Sequence, residues 1–335
     1  MLEGLLIATI AVAIAFDFTN GFHDTANAIA TSISTRALSA GQAVILASFF
    51  NLFGALVTVL VLHSKVANTI AGTLSFKAGM VVVIAALLGA ITWNLVTWFF
   101  GLPSSSTHAL IGGLIGAGVA SVGSFSAVKW ASFSKQLTSL IVSPLLGLVV
   151  AAVLVTLIVV AVHRFRPAPI NRSFRILQVL AAAFVSFSHG GNDAQKTMAA
   201  ITLGLVASGQ IHKFVVPVWV VVLSATAIAF GTYAGGWRII RTLGWRIYKM
   251  DPVGGLAAQL TGATVIQIAS QFGLPVSTTH VITGSVIGSG AARSVSALKW
   301  GVGLNIVVAW IVTIPAAATV AWVMYAVLHT AGLRG

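Results

Sequence analysis

Long apolar runs separated by short polar clusters organise this sequence. Runs at 43–62, 80–100, 137–162 and 214–233 are each about twenty residues or longer, the length a helix needs to cross the hydrocarbon of a bilayer. None shows the short alternation of an outer-membrane strand, so the pattern predicts helices. Each half reads as five segments: 4–35, 43–62, 78–100, 103–123 and 137–162, then 176–207, 214–236, 253–270, 276–291 and 300–328. Polar clusters are expected to interrupt the first segment of each half, near 17–24 and near 188–193. The expectation is an all-α integral membrane protein of two inverted-topology repeats, 1–162 and 176–335, with broken or re-entrant helices at the motifs. A basic connector at 163–175 divides them. Five crossings is odd, so the second repeat would run inverted to the first.

Composition narrows the class. Of 335 residues 58% are hydrophobic and 7% charged, against about a quarter charged in a soluble domain. The net charge of +13 could suggest nucleic acid, but the basic residues sit in short loops. Eleven lie on the connector's side, including Arg164, Arg166, Arg172 and Arg175, and six on the other, from Lys65 to Arg334. That asymmetry follows the positive-inside rule and puts both termini outside. The amino-terminal run carries Glu3 and no Lys or Arg before Arg36, so it reads as an uncleaved membrane segment rather than a secretory signal. Cysteine is absent, which removes any disulfide or thiolate-metal framework.

Two pairs of matching polar segments then stand out. Residues 101–108 (GLPSSSTH) align with 273–280 (GLPVSTTH) at an offset of 172. Glycine and proline end one helix, and the Ser/Thr run supplies N-cap hydroxyls for the next. Gly112, Gly116 and Gly118, matched by Gly284, Gly288 and Gly290, allow close helix packing. The product is a half-helix N-terminus at membrane depth, an anion site made of backbone N–H groups and hydroxyls. Ser105, Ser106, Thr107, Ser277, Thr278 and Thr279 are the candidate oxyanion ligands. The plainer alternative, that they only bond to carbonyls of their own helix, is weakened by the duplication.

The second pair is residues 20–27 (NGFHDTAN) and 189–196 (HGGNDAQK), at an offset of 169. The chain holds only five acids, Glu3, Asp17, Asp24, Asp193 and Asp251, and two occupy equivalent motif positions. A carboxylate at membrane depth costs roughly 2.5–3.5 kcal/mol, so a matched pair argues for use. Asp24 with Asn27, and Asn192 and Asp193 with Gln195, offer oxygen ligands to a hard cation or a proton. The alternative is an aspartate that caps a broken helix, and Asp17 is either a site member or such a cap. Lys196 stands where the first half has Asn27, so it neutralises Asp193 or meets an anion. His23, His108, His189 and His280 are candidate proton relays, although a lone membrane histidine is more often a packing residue. No cofactor or metal-ligand motif, Walker loop or nucleophile elbow occurs.

With these residues the chain resembles the inorganic phosphate transporter (PiT) family, on its bacterial low-affinity permease branch. The duplicated G-x-N-D-x-x-N signature is matched by 21–27 and 190–196, and G-L-P-x-S-x-T-H segments follow in both halves. The resemblance covers essentially the whole chain. It implies phosphate symport across the plasma membrane, with Asp24, Asn27 and Asp193 at the coupling-ion site. It also implies that the Ser/Thr clusters, with Gln195 nearby, face phosphate, and that the protein pairs as a homodimer. His23 and Lys196 depart from the sodium-coupled pattern and resemble the branch that uses protons, often with metal-phosphate complexes as substrate. The alternatives are a sodium-coupled phosphate symporter, a sulfate permease of the same family and, from another class, an anion channel. A membrane enzyme lacks any supporting residue spacing.

Overall fold

The computed structural model describes residues 2–165 and 167–333. It has helices and turns but no strands among the described residues, with one isolated bridge between Leu74 and Val128. The first half contains α1 (Leu2–Ser34), α2 (Ala40–Leu60), α3 (Val66–Ala71), α4 (Met80–Phe100), α5 (Ser106–Val122) and α6 (Trp130–Val162). The second contains α7 (Pro167–Ala207), α8 (Val218–Ala234), α9 (Trp237–Arg241), α10 (Pro252–Gln271), α11 (Thr278–Arg293) and α12 (Trp300–Thr330). Among the described residues six helices are long and apolar enough to cross a membrane, or seven if α8 and the segment 237–246, bent by 59° at the break, form one span.

The two halves interlock by exchanging partners. Helix α1 packs on α8 as α7 packs on α2, and α5 packs on α12 as α11 packs on α6. Thr35 Oγ1 donates to Gln178 Oε1 at 2.7 Å near one end of the α1–α7 contact, and Thr197 Oγ1 reaches Ala13 O at 3.5 Å near the other. Residues later in α1 thus meet residues earlier in α7, so these equivalent helices run antiparallel.

Small residues set the closeness of the exchanged contacts. A Cβ built on Gly116 would lie 2.0 Å from Ala318 O on α12, and one on Gly288 would lie 2.0 Å from Leu148 O on α6. Gly112 and Gly284 make the same approach one turn earlier. The outer faces of α6 and α12 expose Ile141, Leu145, Val149, Leu304, Val308 and Ile311, as surfaces bathed in lipid do.

Three expectations need correction. First, α1 and α7 run unbroken through 17–24 and 188–193. Their glycines serve close packing rather than a break: Gly21 faces Ile228 O and Gly190 faces Asn51 O. Secondly, the connector is mostly helix, because α7 begins at Pro167. Arg172 and Arg175 therefore lie on α7, while Arg166, like Arg334, is outside the described residues. Thirdly, each half carries a short sixth helix, α3 or α9, that lies in what reads as loop.

Candidate functional site

Breaks do occur at the glycine-leucine-proline segments, and they are built alike in both halves. Helix α4 ends on Gly101 in the left-handed conformation (φ 66°), and α10 is followed by Gly273 (φ 67°), a conformation that favours glycine. Ser105 then caps α5 by accepting from His108 N at 3.1 Å, and Ser277 caps α11 by accepting from His280 N at 3.2 Å. The N–H groups of residues 106, 107, 278 and 279 lie in first turns, where no intrahelical carbonyl can reach them. Ser105 and Ser277 are therefore caps, and the hydroxyls that reach outward belong to the residues after them.

These two helix ends meet the aspartates of α1 and α7. Ser106 Oγ donates to Asp24 Oδ2 at 2.8 Å, and Thr279 Oγ1 donates to Asp24 Oδ1 at 3.0 Å. Each half thus contributes a hydroxyl to one carboxylate. Asn27 Nδ2 donates to Thr279 Oγ1 at 2.9 Å, and Thr278 Oγ1 lies 3.4 Å from Asp193 Oδ2. Thr107 Oγ1 donates instead to the backbone carbonyl of Val276 at 3.2 Å. All of these residues are buried.

The two carboxylates have different company. Asp24 is bound by neutral hydroxyls and by His23 Nδ1 at 2.8 Å, whose Nε2 lies 3.1 Å from Thr97 Oγ1. Asp193 pairs with the Lys196 ammonium at 2.8 Å, takes a hydrogen bond from Asn192 Nδ2 at 2.7 Å, and lies 3.3 Å from His189 Nε2. Lys196 Nζ also donates to Ser106 Oγ at 2.7 Å and, more weakly, to Asn20 Oδ1 at 3.4 Å. The ammonium of the second half therefore reaches the helix end of the first. One ligand atom each from Asp24, His189 and Asp193 lie within 4.8 Å of one another, a spacing compatible with a single shared cation.

Three candidates from the sequence stand apart from this cluster. Gln195 braces α3: its Oε1 accepts from Ala67 N at 3.2 Å, and its Nε2 donates to Ser64 Oγ and Gly191 O. His108 and His280 stack on each other with centroids 4.4 Å apart, and His280 lies on Trp310 at 3.8 Å. Both rings line a lateral cavity of about 980 Å³ whose other walls are mostly apolar side chains of α6, α11 and α12. One helical rule accounts for all three. Each lies two residues after a site member on the same helix, about 200° around the axis. Residues that the motifs do not mark also enter the framework: Asn51 accepts at 2.9 Å from His189 Nδ1, and Ser270 donates to Asn192 Oδ1 at 3.2 Å.

Comparisons with known proteins agree with this architecture. The family model described as "Phosphate transporter family" matches twice, over residues 20–173 and 163–321, once in each half. A protein of Rhizobium meliloti (strain 1021) described as "Probable low-affinity inorganic phosphate transporter" is 49% identical over 96% of both chains. One of Bacillus subtilis (strain 168) with the same description is 43% identical over 97% of this chain and 98% of its own. The solved structure described as "The sodium-dependent phosphate transporter" superposes with a TM-score of 0.89 at 26% identity, covering 98% of this chain and 99% of that one. The chain is therefore a multi-pass membrane transporter of phosphate and belongs to the phosphate transporter family.

Proposed function

We propose that this transporter couples phosphate uptake to protons, with the oxyanion held between the first turns of α5 and α11. The observation that carries the coupling reading is the Lys196 ammonium, 2.8 Å from Asp193 Oδ2. It supplies to the second carboxylate the positive charge that a bound sodium ion would otherwise provide, and it repels a metal ion from that position. Where the halves meet, the hydroxyls of Ser106, Thr278 and Thr279 are directed at Asp24 and Asp193 and that of Thr107 at Val276 O. Residues 106, 107, 278 and 279 carry first-turn N–H groups with no intrahelical acceptor. Phosphate oxygens would accept from these donors and draw Lys196 toward them. Ser106, already shared between Asp24 and Lys196, links the two events. His23 and His189, each at one aspartate, are the histidines placed to pass a proton.

Sodium coupling is the second reading. A sodium-dependent transporter shares this fold, and among the described residues Asp24 has no lysine or arginine partner. A cation among Asp24, His189 and Asp193 would serve that mechanism, or would travel as part of a metal-phosphate complex. Uptake of labelled phosphate into proteoliposomes, under pH and sodium gradients imposed separately, distinguishes the two. Proton coupling requires accumulation with the pH gradient alone and its loss in Asp193→Asn. Accumulation only with sodium, or full uptake by Asp193→Asn, overturns it.

A further inference from the structure

Among the buried acids described, Asp17 alone has no hydrogen-bond or ion-pair partner. It is 0% exposed, and neither carboxyl oxygen has a hydrogen-bond donor. Glu3 is exposed, Asp251 caps α10 and pairs with Arg293, and Asp24 and Asp193 are each held by several groups. Because α1 is unbroken, Asp17 caps nothing.

Its position is specific. Asp17, Asn20, Asp24 and Asn27 recur at spacings that place them on one face of α1. Opposite Asp17, the bonds from Thr197 to Ala13 and from Lys196 to Asn20 lie one turn to either side. Helix α7 thus brings Lys196, whose ammonium reaches Asn20 Oδ1 and Asp193 Oδ2, alongside this stretch of α1. The other elements packed on this part of α1 bring no charge: α2 and α4 have no titratable side chain, and Tyr233 of α8 and the arginines of α9 are exposed.

An ionised carboxylate buried without any donor is far costlier than the neutral acid. A place for the ionised form nevertheless lies close by. Asn20 Nδ2, one turn along, has no acceptor, and the N–H of Lys196 directed at Asn20 Oδ1 makes only a 3.4 Å bond. Redirecting these two groups would solvate a carboxylate at 17. The arrangement offers one state in which Lys196 serves Asp193 and Ser106, and another in which it also serves Asp17.

We propose that Asp17 is a proton-binding site of the transport cycle, loaded as the neutral acid while Lys196 is held by Asp193 and Ser106, and unloaded when Lys196 swings toward it. This deepens the proton-coupled reading above and rests on it. In the step the Asp17 O–H bond breaks, the proton passes to water on the side then open, and the carboxylate remains. Lys196 keeps its own protons throughout and changes only its acceptors.

The test compares wild type, Asp17→Asn and Asp17→Glu in proteoliposomes. Two assays are run: phosphate exchange at equal pH, and net accumulation under a pH gradient of one unit. One proton per phosphate supports about tenfold accumulation under that gradient, since 1.4 kcal/mol is tenfold. Asp17→Asn should exchange phosphate but fall to about onefold accumulation. Accumulation by Asp17→Asn equal to wild type overturns the proposal while leaving proton coupling intact. A wild type that ignores the pH gradient overturns both. If Asp17→Asn neither exchanges nor accumulates, Asp17→Glu decides. Accumulation with a shifted pH profile supports the site, whereas an unchanged profile or no accumulation overturns it.

Discussion

Asp24 and Asp193 occupy equivalent places in two repeats that are otherwise closely alike, and they are stabilised by opposite means. Asp24 is solvated by hydroxyls drawn from both halves and by its neighbouring histidine. Asp193 is neutralised within its own helix by Lys196, one turn away. The scaffold around them, with its left-handed glycines, serine caps and glycine faces, scarcely differs between the halves. Duplication therefore supplied the geometry of the site, and among the motif positions that differ, Asn27 against Lys196 supplies its fixed charge asymmetry.

The sharpest way to break this comparison is to remove each carboxylate in turn. Asp193→Asn takes from the buried Lys196 ammonium the carboxylate that holds it and should cost about 3–5 kcal/mol of stability. Asp24→Asn loses only part of its hydrogen bonding, about 1–2 kcal/mol. Both should abolish uptake, so thermal unfolding in detergent, not transport, separates them. Equal destabilisation would refute the difference in company. Adding Lys196→Met to Asp193→Asn should then recover about 1–3 kcal/mol, because the unpaired charge is gone. A double variant less stable than Asp193→Asn alone would count against the pairing.

Smaller effects test the symmetry rather than the asymmetry. Gly116→Ala and Gly288→Ala each push a methyl into a backbone carbonyl and should each cost about 1–3 kcal/mol. Gly301→Ala, with nothing within 4 Å of the added carbon, should be neutral or stabilising by up to about 1 kcal/mol. Smallest are the caps. Ser105→Ala and Ser277→Ala should lose about 1 kcal/mol each, and similar losses are expected because the two bonds match.

Much of this site is legible in the sequence because its chemistry is local. The sharing of Gly101 with Gly273 and of Ser105 with Ser277 points to two broken helices with capped starts, which the structure contains. The glycines that follow them mark the contacts with α12 and α6. What the sequence conceals depends on partners far along the chain. A cluster such as His23-Asp24 reads as a helix break because isolated polar side chains compete with the backbone. Here Ser106, Thr279 and Thr97 take up those side chains from outside, so α1 continues undisturbed. The roles of Gln195, His108 and His280 needed only the helical angle between neighbours, which a motif read as a string suppresses. Helices α3 and α9, of six and five residues, are too short to carry a periodic signal.

The exchange of end helices has a consequence for biosynthesis. Helix α5 would supply half of the proposed oxyanion site, yet the face bearing Gly112 and Gly116 is covered by α12, which begins at residue 300. When the ribosome has finished the first repeat, its own half-site lacks its cover and waits through the translation of nearly the whole second repeat. During that interval α5 can pack on α4 of its own half, but its Gly112–Gly116 face stays uncovered until α12 docks.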